Sequence, residues 1–281
     1  MSDSSTGKLY LVATPIGNLS DISIRALETL QKVDFIAAED TRITRKLLGH
    51  FNIKKPLVSY YKHNSRTSGD NVLKRLLAGE SCALVTDAGT PGISDPGEDL
   101  VRICADENIP MVIIPGPCAA ISALALSGLA SERFIFEGFL PVEKKKRSLI
   151  LENLSTEVRT MVFYEAPHKL IRTLTDMLAA FGDRRVSVSR EMTKIYEETL
   201  RLTLSGAITH FESNPPRGEF VLTIEGAVYR QDSESLLGEG IKAASTLMES
   251  GMSVKDAVKK AADETGCSRN ALYKAVITDT M

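Results

Sequence analysis

The chain has 281 residues, 43% of them apolar and 25% charged, an ordinary soluble composition long enough for two α/β domains, each with its own core. Its 34 Lys and Arg stand against 36 Asp and Glu, a net charge of -2, which excludes a general polycationic grip on nucleic acid while leaving room for a local basic patch. Cysteines 82, 104, 118 and 267 show no C-x-x-C pair and no zinc or disulfide spacing, which fits a reducing cytoplasm. Neither an apolar signal core near the N-terminus nor an 18-residue apolar run occurs, so no membrane is expected.

Leu9–Ala13 reads as a buried strand, and the apolar residues of Ile22–Leu30 recur at helical spacing. Asp34–Ala38, Leu57–Tyr60, Cys82–Thr86 and Met111–Ile114 repeat the strand signal, with helical stretches near 41–50, 66–78, 97–106 and 117–128 between them. Such alternation predicts a parallel sheet covered by helices. Near 128–145 the texture changes: Gly128 and Gly138 bracket a short strand, Arg133–Glu137, and Pro141 leads into the basic run Lys144, Lys145, Lys146 and Arg147. Strand signals then return at Thr160–Tyr164, Val186–Ser189 and near 197–204 and 218–225, with one helix near 168–180. A sheet without a long helix on every crossover should be mixed. From Gln231 the sequence is helical. Ser253 with Asp256, Gly266 and Ser268 bound two short helices, the outline either of a helix-turn-helix or of a small bundle that closes a dimer or caps the sheet. Six basic and five acidic residues over 241–281 give no strong footprint for nucleic acid. The expected division is 1–117 and 118–230 as two α/β domains and 231–281 as a helical RNA-binding or capping module.

Glycine and proline gather just past strand ends, where open α/β sheets place their ligands: Thr14–Asn18, Asp87–Gly97 and Pro115–Ala120. Together they describe a rigid, mostly neutral pocket made of main chain. No G-x-x-x-x-G-K-[ST] occurs, and no G-x-G-x-x-G follows the first strand, so the usual polyphosphate readings fail. Asp87 and Asp95 read better as turn-formers than as magnesium ligands, and no metal is expected. A cofactor with an adenosine and an amino-acid part suits such a pocket. Acids beside bases or His also stand at strand ends, in Glu39–Arg42, Glu165–His168 and Arg190–Lys194, as active-site groups or as helix caps and surface ion pairs. The basic run 144–147 reads as a solvated helix face or an RNA contact. His50, His63 and His210 have no ligand-like spacing and read as surface or structural residues.

Eight segments carry a family resemblance: Ala13–Leu19, Ala38–Arg42, Thr86–Gly97, Pro115–Ala120, Phe136–Pro141, Phe163–His168, Arg190–Lys194 and Arg217–Leu222. In that order they resemble the tetrapyrrole methylase superfamily, the class III S-adenosylmethionine-dependent methyltransferases, and within it the bacterial small-subunit ribosomal RNA methyltransferases. The resemblance implies two α/β domains of the tetrapyrrole methylase type plus a small C-terminal helical module, a homodimer, and S-adenosylmethionine held between the domains. It also implies methyl transfer to the ribose 2′-hydroxyl of a cytidine in the decoding region of 16S rRNA in the small ribosomal subunit. Carried onto this sequence, Pro15, Asp87, Ala88, Gly89, Thr90, Ile93, Cys118, Ala119, Phe163, Tyr164, Glu219 and Phe220, with the strand on to Gly226, would line the cofactor site. The superfamily's Gly-Asp-Pro loop appears here as Gly89-Thr90-Pro91, which leaves Asp87 or Asp95 as the acid nearest it.

A sulfonium donor carries an activated methyl group, so the protein has to desolvate it, align the attack and handle one proton. Glu165, His168 and Asp40 are the candidate bases for the hydroxyl, with Glu191 behind them. Arg42, Arg190, Lys194 and the run Lys144, Lys145, Lys146 and Arg147 are the candidate RNA-binding residues. Two other readings compete: a class III methyltransferase acting on a corrinoid or a protein, and a ligand-sensing regulator that binds nucleic acid through residues 235–281.

Overall fold

Alternating side chains on five short strands bury both faces of the first sheet. The computed structural model describes residues 6–61, 65–227 and 232–279; His63 lies outside the described residues. Strands β1 (Leu9–Val12), β2 (Phe35–Ala38), β3 (Leu57–Ser59), β4 (Cys82–Val85) and β5 (Met111–Ile114) are all parallel, in the order β3-β2-β4-β1-β5. Leu9, Phe35, Ala37, Cys82 and Leu84 point to one face, under α3 (Ser65–Leu77) and α4 (Glu98–Asp106). Val12, Ile36, Ala38, Ala83 and Val85 point to the other, under α1 (Ile24–Lys32) and α2 (Thr41–His50). This period-2 division is what a sheet covered on both faces demands. α1 starts two residues later than the apolar spacing suggests, because Ser23 accepts a hydrogen bond from the Ala26 N–H and fixes the cap.

The second sheet is mixed, in the order β6-β7-β10-β8-β9, with β6 (Phe134–Phe139) parallel to β7 (Thr160–Glu165). β8 (Arg185–Arg190), β9 (Glu198–Thr203) and β10 (Phe220–Ile224) add three antiparallel pairings. One face packs on α6 (Lys144–Leu154), α7 (Leu170–Phe181) and α8 (Leu204–Ser213), through Met161, Phe163, Val188, Leu222 and Leu174 among others. Only α7 is expected from apolar spacing. α8 follows a strand without a break: the Thr203 hydroxyl accepts from the Gly206 N–H and caps it, while Leu204, Ala207 and Phe211 make its buried stripe. The opposite face carries Val162, Val221 and Met192 and packs on α5 (Ala119–Ser127), whose Ala120, Ala123 and Leu124 are buried there.

Both sheets belong to one compact unit that ends at Ala227. The helical module is a second unit, built from α9 (Asp232–Glu249), α10 (Val254–Thr265) and α11 (Arg269–Asp279) around Ala244, Val258, Ala261, Leu272 and Val276. Ser253 caps α10 and Gly266 closes it in the left-handed region, at φ 73°. No helix among the described residues is long and apolar enough to cross a membrane.

Candidate active site

The cavity that the strand-end loops enclose holds about 300 Å³ and is lined by both halves of the first unit. Its floor is backbone. Thr14 and Gly89 exchange N–H···O bonds of 2.9 and 3.1 Å, and the Thr14 hydroxyl donates to the Thr86 carbonyl at 3.1 Å. Gly89 takes φ +83°, a conformation that L side chains rarely adopt. The Thr90 hydroxyl donates to the Pro117 carbonyl at 3.2 Å, and the Ala120 N–H donates to the Tyr164 hydroxyl at 3.1 Å, tying the loop after β4 and the start of α5 to β7. A shift of register between Phe136 and Gly138 bulges β6. Both Phe136 and Phe139 then meet the Tyr164 ring edge-on, with centroids 5.0 and 5.5 Å away.

Ala88, Gly89, Thr90, Ile93, Cys118, Ala119, Tyr164, Glu219 and Phe220 all meet at this cavity. Pro15 is buried, and neither it nor Asp87 is part of the wall. Phe163 belongs to the α6–α8 face of the sheet, since alternate residues of β7 point to opposite sides. β10 reaches the cavity only at its start, through Phe220 and Val221; Leu222 and Ile224 lie in the core under α6–α8. Glu165 and its neighbours Ala166 and Pro167 also line it, as does Val221, and Ile16, Ser94, Asp95, Phe139 and Met192 join the wall; of these last five only Asp95 has a signal in sequence, as a carboxylate in a glycine-rich turn.

The acids differ in what already holds them. Glu165 is buried; its carboxylate accepts from the Thr173 hydroxyl at 2.5 Å and the Ala166 N–H at 2.8 Å, so it ties the end of β7 to α7. Glu165→Ala should therefore cost about 1–3 kcal/mol by orphaning the Thr173 hydroxyl and Ala166 N–H, read as a lowered urea midpoint. His168 is exposed in a short 3₁₀ turn and does not line the cavity. Asp40 caps α2 and accepts from the Arg42 side chain at 2.6 Å, and these bonds hold its carboxyl down at about 2. Asp87 Oδ1 accepts from the Asp40 N–H at 3.1 Å and Glu39 accepts from the Asp87 N–H at 3.3 Å; burial raises both carboxyls. Asp95 is pushed up to about 7, by burial first and then by the Glu39 and Asp87 charges.

The cations separate in the same way. Lys144 and Lys145 are exposed at the start of α6, and Lys146 pairs with Glu143 at 2.9 Å. Arg147 is buried instead: it pairs with Asp176 at 2.7 Å and donates to the Pro141 and Val142 carbonyls, so it is a structural residue and not an RNA contact. Arg190 pairs with Glu198, and Lys194 donates to both Glu191 and Glu219 at 2.9 Å. Arg42 keeps an exposed side chain while paired to Asp40. Among the described residues no group of three His, Cys, Asp or Glu is placed to hold a metal ion.

The family profile of the tetrapyrrole (corrin/porphyrin) methylases matches residues 8–207, and that of the RsmI C-terminal HTH domain matches 235–279. A ribosomal RNA small subunit methyltransferase I from Synechocystis is 49% identical over 270 residues, covering 95% of this chain and 96% of the relative. One from Bacillus subtilis is 44% identical, covering 97% and 94%. A third, from Thermotoga maritima, is 50% identical over 220 residues, 78% of this chain but 99% of that protein. Among solved structures, diphthine synthase superposes with a TM-score of 0.62 at 15% identity, over 78% of this chain and 90% of its own. A uroporphyrin-III C-methyltransferase from Thermus thermophilus, complexed with S-adenosylhomocysteine, gives 0.56 at 16%, over 77% and 97%. The fold, the order of the strand-end loops and near-full-length identity agree: this chain is a methyltransferase of the tetrapyrrole methylase class and belongs to the ribosomal RNA small subunit methyltransferase I family.

Proposed function

We propose that the chain transfers the methyl group of S-adenosylmethionine to the ribose 2′-hydroxyl of a cytidine in the 16S RNA of the small ribosomal subunit, in the cytoplasm. The observation that carries the cofactor part is the charge of the cavity. Its walls are apolar at Ile16, Ile93, Met192 and Val221, its charged residues are Asp95, Glu165 and Glu219, and among the described residues no lysine, arginine or histidine lines it. A polyphosphate would be repelled there, whereas a donor whose sulfonium and ammonium outweigh one carboxylate is attracted. Backbone at 88–90 and 118–119 would hold the adenosine and amino-acid ends, and Gly89 keeps that approach open. Bound there, the cofactor supplies a methyl group that needs no further activation. The chain's own residues then have to exclude water, seat the ribose and take up one proton.

Family membership supports the RNA substrate. Arg42, Lys144 and Lys145 offer exposed side chains to phosphates, whereas Arg190 and Lys194 are engaged with carboxylates. Replacing Lys144 and Lys145 by Ala should weaken binding of the small subunit and lower the slope of log affinity against log salt by about 2, roughly one per phosphate contact, with cofactor binding unchanged. An unchanged slope would remove the pair from the interface. For a homodimer, the edge strand β5 offers exposed Met111 and Ile113, and sedimentation of the protein as a monomer would refute that arrangement.

Two measurements test the function together. Titrating S-adenosylmethionine or S-adenosylhomocysteine into the protein should release or absorb heat, and 16S RNA from cells lacking the chain should lose a 2′-O-methylcytidine by nucleoside mass spectrometry. No heat refutes the cofactor, and an intact 2′-O-methylcytidine refutes the substrate.

A further inference from the structure

We infer that Asp95 takes the proton from the acceptor hydroxyl as the methyl group is transferred, an inference that rests on the methyl-transfer reading of the same cavity. Three carboxylates line that cavity, and two already have occupations: Glu165 is tied to Thr173 and Ala166, and Glu219 to Lys194. No hydrogen bond or ion pair engages the Asp95 carboxylate among the described residues, so both its oxygens remain available to a ligand. Its position is fixed from both sides. Ser94 holds a left-handed φ of 62°, and the Gly92 N–H donates to the Pro96 carbonyl across the turn at 3.3 Å.

The groups facing Asp95 set its proton affinity. Glu39 at the end of β2 and Asp87 in the loop after β4 oppose its ionisation, and Tyr164 on β7, pushed up to about 12 chiefly by burial, stays protonated beside it. No cation contributes. A carboxylate in such surroundings binds a proton near neutrality, where a general base is most effective. In the transfer, the hydroxyl oxygen forms its bond to the methyl carbon and yields its proton to an Asp95 oxygen. The S–CH₃ bond breaks with its electron pair left on sulfur, and Asp95 afterwards releases the proton to water.

The test begins on the ligand-free protein, with ¹³C-labelled aspartate followed by NMR from pH 4 to pH 9. Asp95, assigned by its loss in Asp95→Asn, should titrate near 7; titration near the ordinary value of about 4 overturns the inference. With S-adenosylmethionine saturating, kcat of Asp95→Asn on small subunits should fall about 100-fold. Asp95→Glu should recover part of kcat, and parental kcat should rise with pH through about 7 and then level. Retained kcat in Asp95→Asn, or a loss confined to cofactor affinity, overturns the inference. If the parental protein methylates no RNA at all, the failure falls on the substrate reading, because the NMR titration is read without substrate.

Discussion

Phe163→Ala should lower the stability of the protein by about 3–5 kcal/mol, seen as an earlier urea midpoint, while heat of cofactor binding at low temperature persists. Phe163 is 1% exposed and sits among Met161, Leu174, Val188 and Leu222, under α7 and α8. Removing its ring deletes a large apolar surface and leaves a void that close-packed neighbours fill only in part. Tyr164, one residue on, behaves differently. Its ring faces the cavity and its hydroxyl accepts the Ala120 N–H, so Tyr164→Ala should disturb ligand binding more than the fold. A Phe163→Ala protein that keeps its midpoint but loses its ligand would reverse the two assignments.

Arg147→Ala should cost about 3 kcal/mol, against less than about 0.5 kcal/mol for Lys144→Ala three residues away. The guanidinium is 3% exposed and serves Asp176 and the Pro141 and Val142 carbonyls at once. Its removal leaves a half-buried carboxylate on α7 without its partner and two carbonyls at the entry to α6 unpaired. Arg147→Lys should recover little, because an ammonium cannot reproduce the planar fork that spans three acceptors. Equal midpoints for the Arg147 and Lys144 variants would mean that the buried pair contributes nothing.

The first sheet was legible because each strand carries its own evidence: paired apolar positions such as Phe35 and Ile36, or Cys82 and Ala83, serve two covered faces. The loops were legible too, since Gly89, Gly92 and Gly97 at positive φ leave a mark that only glycine makes. Arg147 was not, because a run of four cations hides that its last member shares a helix face with buried Leu151. Nor was the contrast between Phe163 and Tyr164, which one motif contains and the pleat then divides. Asp95 was visible as an acid in a turn. Its environment was not, for it depends on Glu39 arriving from the end of β2 and on the fold of its own loop that turns Asp87 towards it, a juxtaposition that no local spacing encodes.

The place of β10 constrains how this protein can be made. Lying between β7 and β8, the strand Phe220–Ile224 is the last to leave the ribosome and the one that joins the second sheet's two parts. A nascent chain can finish its first sheet once Ile114 emerges, whereas β7, complete at Glu165, and β8, complete at Arg190, present unpaired edges until Ile224 follows. A chain that stops in that interval carries a second sheet in two halves, β6-β7 and β8-β9, with the inner edge of each exposed.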